Sequence, residues 1–78
     1  MDRKQRIYDF IKAFWFHIRL FVEVPPNDDE KAWDDLLEQA SALNKKYGTD
    51  DAEGRFFKKC IMAWLEYLSD RDKERRAA

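Results

Sequence analysis

The sequence predicts an all-α protein, an antiparallel three-helix bundle, and three observations support this fold class. The chain has 78 residues, of which 40% are charged and 45% hydrophobic, with only two glycines and two prolines. β-Sandwiches and barrels need many more turn residues than this. Large apolar side chains recur at helical spacing in three stretches, which two short groups of helix-breaking residues separate. One domain with one small core is the expected organisation.

The first predicted helix spans about residues 3–23. At about 100° per residue, one face of this helix gathers its apolar residues, which are Ile7, Phe10, Ile11, Phe14, Ile18 and Phe21. Pro25 and Pro26 are expected to stop the helix because proline has no backbone N–H to donate.

The second predicted helix spans about residues 28–47. Asn27, with Glu30 three residues later, reads as a capping box at its start. Its apolar face comprises Trp33, Leu36, Leu37, Ala40, Leu43 and Tyr47. Gly48 is expected to end the helix in the left-handed conformation.

The third predicted helix spans about residues 51–74, and a frayed end is expected at 75–78 because the apolar period is lost there. Thr49 or Asp50 is the expected N-cap, and Asp50 with Glu53 repeats the capping box. Gly54 is the weak position, since glycine inside a helix costs about 1 kcal/mol. The predicted core of the bundle consists of Phe14, Ile18, Trp33, Leu37, Trp64 and Leu68.

The residue types that carry most catalysis and metal binding are scarce in this chain. Its one histidine, His17, and its one cysteine, Cys60, both fall near apolar stripes, where a core histidine and an inert thiol are expected. We therefore expect no enzyme, no metal site and no cofactor. A single cysteine cannot close an intramolecular disulfide, which favours the cytoplasm. The apolar stretch from residue 13 to 22 is too short to span a membrane.

Charge is concentrated in the middle of the chain, although the net charge is only −1. Residues 25–54 carry nine acidic and three basic side chains. Glu30, Asp34 and Glu38 line up one helical turn apart, with Asp35 further round the helix. This stripe has two interpretations: a solubilising face that suits the helix dipole, or a docking surface for a protein partner with a basic surface.

Nucleic-acid binding is the alternative function. Antiparallel threading gathers basic residues at one end of the bundle, and Arg55, Lys58 and Lys59 are the candidates there. The sequence pI of about 5.8 lies far below the value above about 9 that is typical of such domains. Nucleic acid is therefore the less expected partner.

Phe16 and Leu20 are large apolar residues outside the main apolar stripe of helix 1. They lie one turn apart, roughly opposite that stripe and beside Ala13. Partial cover by a neighbouring helix is one explanation. Clustered exposed apolar groups also mark interfaces, and we expect a homodimer through these two residues.

Two segments resemble small uncharacterised helical proteins of bacterial prophages and mobile elements. They are Lys-Ala-Trp-Asp-Asp-Leu-Leu-Glu-Gln-Ala-Ser-Ala-Leu-Asn-Lys-Lys-Tyr-Gly, from Lys31 to Gly48, and Ala-Trp-Leu-Glu-Tyr-Leu, from Ala63 to Leu68. Together they cover about a third of the chain. The resemblance implies a protein that binds and modulates a host or phage protein.

Overall fold

A computed structural model describes residues 2–23 and 30–77, except for the side chain of residue 76. It contains three helices, α1 (Arg3–Phe21), α2 (Glu30–Tyr47) and α3 (Ala52–Ala77). The residues described include no strand, so the all-α prediction is confirmed. The predicted capping residue Asn27 and the predicted start of helix 2 at residue 28 lie outside the described residues.

Helix α1 is capped as its sequence allows and ends slightly earlier than predicted. The Asp2 side chain accepts a hydrogen bond from the backbone N–H of Gln5 at 2.7 Å, which satisfies one of the free donors of the first turn. At the other end, the Val22 N–H donates to the Ile18 carbonyl and closes the last turn. The helix therefore stops two residues before the predicted boundary, which is an ordinary difference at a helix end.

The N-cap of α3 is Asp51, so the predictions of Thr49 or Asp50 were wrong. An Asp51 carboxylate oxygen accepts from the Gly54 N–H at 2.9 Å and from the Thr49 hydroxyl at 2.6 Å. The predicted capping box of Asp50 and Glu53 is also wrong, because Asp51 and not Asp50 caps the helix. Glu53 instead pairs with Arg3 of α1 at 3.1 Å.

The two glycines are explained by crowding and not by an unusual backbone conformation. No described glycine has a positive φ, so the left-handed conformation predicted for Gly48 was wrong. A Cβ on Gly48 would lie 2.6 Å from the Asn44 carbonyl oxygen, and one on Gly54 would lie 2.2 Å from that of Thr49. Gly54 therefore allows the turn between α2 and α3 to pass directly against the first turn of α3.

The end of α3 extends further than predicted, to Ala77 instead of residue 74. Arg71 donates to the Val22 carbonyl, and Asp72 is buried. The Arg71 hydrogen bond joins this part of α3 to the residue that follows α1. The fraying predicted for residues 75–78 stays a prediction, and residue 78 lies outside the described residues.

The core consists of two layers along the helices. One layer is buried around Phe10, Ala40, Phe57 and Ile61, and the other around Leu36, Trp64 and Leu68. Phe14 and Leu65 pack against both layers.

The core prediction was correct for most residues and wrong for one. Trp64 and Leu68 are buried, and Phe14, Ile18 and Trp33 are partly buried. Leu37 is 49% exposed, whereas its neighbour Leu36 is fully buried. Both residues fit the apolar face of α2, and only the position of α3 decides which of them is covered.

Ring contacts at one end of the protein show which helix ends meet. The rings of Phe10 and Phe57 stack with centroids 4.3 Å apart, and Tyr47 meets Phe10 edge-on at 5.6 Å. The start of α1 thus lies beside the end of α2 and the start of α3. At the opposite end, Phe21 packs against the layer that contains Leu36.

The adjacent leucines of α2 provide a matched test of this packing. Leu36→Ala should lower the free energy of unfolding by about 3–5 kcal/mol, because it opens a cavity in a filled layer. Leu37→Ala should cost less than about 1 kcal/mol, because half of its side chain is already in water. Chemical denaturation of both variants would measure the difference, and equal losses would contradict the observed rotation of α2.

Candidate protein-interaction surfaces

The four acidic residues predicted as a docking site are all exposed, but they do not share one surface. Glu30, Asp34 and Glu38 lie on the side of α2 that points away from the core. Asp35 lies about 100° away from Asp34, on the side of α2 that faces α1. The predicted stripe is therefore divided between the outer surface of α2 and its border with α1.

The predicted apolar pair on α1 is largely in water. Phe16 is 62% exposed and Leu20 is 60% exposed, so the neighbouring helix leaves most of each side chain uncovered. The Arg19 guanidinium lies over the Phe16 ring, 5.8 Å from its centroid. The two side chains point to the same side of α1 because they are four residues apart.

The surface between α1 and α2, which we call the α1/α2 face, is concave next to Phe16. One cleft of about 690 Å³ is lined by Phe16 together with Lys12, Lys46 and Tyr47. A second, of about 230 Å³, is lined by Phe16, Gln39, Ala42 and Lys46. Phe16 contributes to both clefts and is the apolar centre of this face.

One acidic residue of α2 lies at the same height as the apolar pair. His17 of α1 and Gln39 of α2 line the same cleft and are therefore level with each other. Because the start of α1 meets the end of α2, one turn further along α1 corresponds to one turn earlier along α2. Leu20 is therefore about level with Asp35, and Glu38 lies about 60° further round α2, towards its outer surface. Glu30 and Asp34 are not brought to this face.

His17 lies deeper than its sequence position suggested. It is only 3% exposed, and its ring lies 5.0 Å from that of Phe21 and 6.0 Å from that of Trp64. Burial lowers the pKa of the imidazole, and the Gln39 side chain opposes this shift. Neither ring nitrogen has a hydrogen-bond partner of good geometry in the described part of the chain. The histidine is therefore neutral and enclosed at neutral pH.

The cysteine has the character of an apolar core residue. Cys60 is partly buried against the layer that contains Phe10, and burial raises the pKa of its thiol. Within the described ranges, no three histidine, cysteine, aspartate or glutamate residues are grouped as a metal ion would require.

The basic residues at the start of α3 are accompanied by acidic groups and carbonyls. Arg55 donates to the Asp50 carbonyl, and the Lys58 ammonium lies 3.4 Å from the Asp50 carboxylate. Lys59 is exposed. Two of the three residues predicted to bind nucleic acid, Arg55 and Lys58, thus already interact with Asp50.

An ion pair with two hydrogen bonds joins α1 to the turn before α3. Two Arg6 nitrogens donate to the two Asp51 oxygens at 2.6 and 3.1 Å. The hydrogen bonds from Arg6, followed by those from Thr49 and Gly54, hold the pKa of the Asp51 carboxyl well below its usual range. The same interaction raises the pKa of Arg6. Asp51 is thus charged at neutral pH.

Comparison with known proteins gives no relative from which a function could be transferred. No protein-family model, curated protein or solved structure matches this chain. The resemblance to prophage proteins stays a prediction. None of the helices described is both long and apolar enough to cross a membrane.

One apolar surface was not predicted from the sequence. Ile7 and Ile11 were assigned to the core stripe of α1, yet both are exposed in the structure, as are Tyr8 and Trp15 beside them. The apolar arc of α1 extends through Tyr8 and Trp15, and this width could have indicated that part of the arc would remain exposed. The sequence does not show how much of the arc α3 covers, so Ile7 and Ile11 were predicted to lie in the core.

The burial of His17 predicts a pH-dependent stability. Its folded-state pKa lies below the ordinary value of 6.5, so the unfolded chain binds more protons just below that pH. The free energy of unfolding should therefore fall as the pH decreases from 7 to 5, by at most about 1.4 kcal/mol per pH unit. Urea unfolding at a series of pH values would measure this.

The matched control for this prediction is His17→Phe, which keeps an aromatic ring in the same packing site. Because the chain has one histidine, this variant should lose the dependence between pH 5 and 7. An unchanged slope in the variant would show that another group is responsible.

Proposed function

We propose that this chain is a non-enzymatic protein-interaction module that binds a protein with a basic surface through the α1/α2 face. The observation that carries the proposal is the exposure of Phe16 and Leu20. Phe16 lines two clefts between α1 and α2, and Asp35 and Glu38 are exposed on α2. Clustered exposed apolar groups with a polar rim are typical of protein interfaces.

The apolar and acidic parts of this face would have different roles. Phe16 and Leu20 would offer the apolar contact area that is typical of the buried centre of an interface. Asp35 and Glu38 would favour a partner with lysine or arginine at the matching position and would speed its approach. Glu30 and Asp34, which are also exposed, would add to the long-range attraction without touching the same part of the partner.

The state of the reactive side chains supports a binding protein over an enzyme. A neutral histidine enclosed by Phe21 and Trp64 has no room for a substrate at its ring nitrogens. A thiol whose pKa is raised by burial is a poor nucleophile, because the thiolate is the reactive form.

The proposal has three further parts, which are the scaffold, the cellular location and the origin of the partner. The scaffold we propose is an antiparallel three-helix bundle, which the ring contacts of Phe10 with Tyr47 and Phe57 support. A cytoplasmic location is supported by the single cysteine. The resemblance to prophage and mobile-element proteins supports a host or phage protein as the partner.

The proposal can be tested by capture of a partner from a lysate of the source cells. The doubly reversed variant Asp35→Lys with Glu38→Lys should capture at least about tenfold less of the partner than the parent chain, because two attractive charges become repulsive. Phe16→Glu should reduce capture to a similar extent because it removes the apolar contact. Quantitative mass spectrometry of the captured protein would give the ratio.

Glu66 and Asp70 provide the matched control, since both are exposed acidic residues on α3. Glu66→Lys with Asp70→Lys changes the net charge by the same amount at a different surface. Equal capture by the two charge-reversed variants would mean that position on the α1/α2 face is unimportant, and would contradict the proposal.

The nucleic-acid alternative makes an opposite prediction. If the interaction module is correct, the chain should not bind duplex DNA or single-stranded RNA at physiological salt, since Arg55 and Lys58 already interact with Asp50. Fluorescence anisotropy with labelled oligonucleotides would show this. Binding that weakens steeply with salt and is lost in Lys58→Glu with Lys59→Glu would favour the alternative.

A further inference from the structure

The larger cleft of the α1/α2 face lies where α1, the end of α2 and the turn before α3 meet. Its volume of about 690 Å³ falls within the range of about 300–1,000 Å³ that is typical of small-molecule sites. We call it the Lys12/Lys46 cleft, after two lysines that line it, one from each helix.

The apolar part of the lining is held in place by the core. It consists of Ala13, Phe16, Tyr47 and Phe57. Phe57 is only 1% exposed, and the Tyr47 ring meets the rings of Phe10 and Phe57 edge-on at 5.6 and 6.3 Å. Because buried rings fix the position of Tyr47, this part of the cleft has its shape before any ligand binds, which lowers the cost of binding.

The charged part of the lining leaves two ammonium groups available. The described residues that line the cleft include three cations, Arg6, Lys12 and Lys46, and one carboxylate, that of Asp9. Arg6 is bound to Asp51 at 2.6 Å. Neither lysine forms an ion pair with a carboxylate in the part of the chain that the structure describes. An anion can therefore pair with these lysines without breaking an existing ion pair.

The other polar side chains of the lining are bonded within the chain. Asp9 accepts a hydrogen bond from the Gln5 side chain, one turn earlier on α1, at 2.9 Å. The Thr49 hydroxyl donates to Asp51 at 2.6 Å and accepts from Arg6 at 3.1 Å. These contacts leave the two lysines as the polar groups that are free to select a ligand.

Lys46 brings positive charge and aromatic surface together. Its ammonium lies over the Tyr47 ring, 5.4 Å from the ring centroid, where the negative face of the ring attracts a cation. An ammonium has three N–H donors, and one ring face cannot take all of them. An acidic group bound to Lys46 would thus have the Tyr47 ring directly beside it.

We propose that the Lys12/Lys46 cleft binds a small aromatic organic anion, with a flat apolar body and one acidic group such as a carboxylate or a sulfonate. The body packs against Phe16 and Tyr47, since aromatic pairs are favourable beyond the area they bury. The acidic group pairs with the two lysines. One acidic group suits the lining better than two, because a second would approach the Asp9 carboxylate.

This site is separate from the proposed function, because a small ligand binds the purified chain without any protein partner. Phe16 belongs to the cleft, to the proposed partner site and to the homodimer predicted from the sequence, which stays a prediction. Phe16 is therefore left unchanged in the test, and failure to capture a protein partner would leave the test of the cleft unaffected.

Two fluorescent probes that differ in one group allow the site to be tested. They are 8-anilinonaphthalene-1-sulfonate and N-phenyl-1-naphthylamine, which has the same aromatic body without the sulfonate. In fluorescence titrations of the purified chain, Lys12→Gln with Lys46→Gln should raise the dissociation constant of the sulfonate probe by at least about fivefold, because two exposed ion pairs are lost. The constant of the uncharged probe should change by less than about twofold, since it forms no ion pair.

Lys4 and Lys45 provide the matched control. They are exposed lysines of the same two helices, and neither lines the cleft. Lys4→Gln with Lys45→Gln changes the net charge by the same amount, and it should change the constant of the sulfonate probe by less than about twofold, because solvent and salt screen charges outside the site. Amide NMR spectra recorded during the titration should show shifts at Ala13 and Tyr47.

Four results would overturn the proposal. The first is a parent chain that does not bind the sulfonate probe saturably. The second is an equal loss of binding in the two pairs of lysine variants. The third is an equal effect of the cleft lysines on the charged and the uncharged probe. The fourth is a set of NMR shifts centred on Phe56 and Tyr67, which are exposed aromatic residues outside the cleft.

Discussion

The stacking of Phe10 on Phe57, with the pairing of Arg6 and Asp51 one helical turn earlier along α1, joins α1 to the start of α3, and the rest of the packing depends on this contact. Asp51 also accepts from the Gly54 N–H, so one carboxylate begins α3 and binds α1. The approach of Thr49 to Gly54, where a Cβ would collide, holds the turn in the required position. Since the far end of α1 is bonded to Arg71, polar contacts join α1 to α3 near both of its ends.

The surfaces of the protein follow from that fixed rotation. With Phe10 and His17 facing inwards, the residues on either side of this stripe project towards opposite neighbours. Helix α1 has only two neighbouring helices, and its apolar arc is wider than these two helices can cover. Trp15 therefore lies exposed on the α3 side and Phe16 on the α2 side. Two separate exposed apolar surfaces are thus a geometric consequence of one broadly apolar helix.

The sequence predicts the helices of this protein better than it predicts its surfaces. Three apolar stripes and two breaks are local signals, and they place the helix boundaries within a few residues of those observed. Choices between adjacent residues, such as Leu36 and Leu37 or Asp50 and Asp51, depend on where another helix packs, and periodicity alone does not contain that information. The exposure of Phe16 and Leu20 was predictable because they lie opposite the main stripe. The exposure of Ile7 and Ile11 was not predictable, because they lie on the apolar face that was expected to be buried.

The apolar faces also bear on how so small a domain remains folded. A chain of this length buries only about 60% of its unfolded surface, and it encloses His17 without a hydrogen bond of good geometry in the described residues, which carries a cost. Apolar side chains left on the surface contribute little to the stability of the isolated chain, but they contribute fully once they are covered. Binding to the folded form alone stabilises that form by mass action. A chain with this distribution of apolar surface would therefore gain stability from any partner that covered it, so association would be energetically coupled to folding.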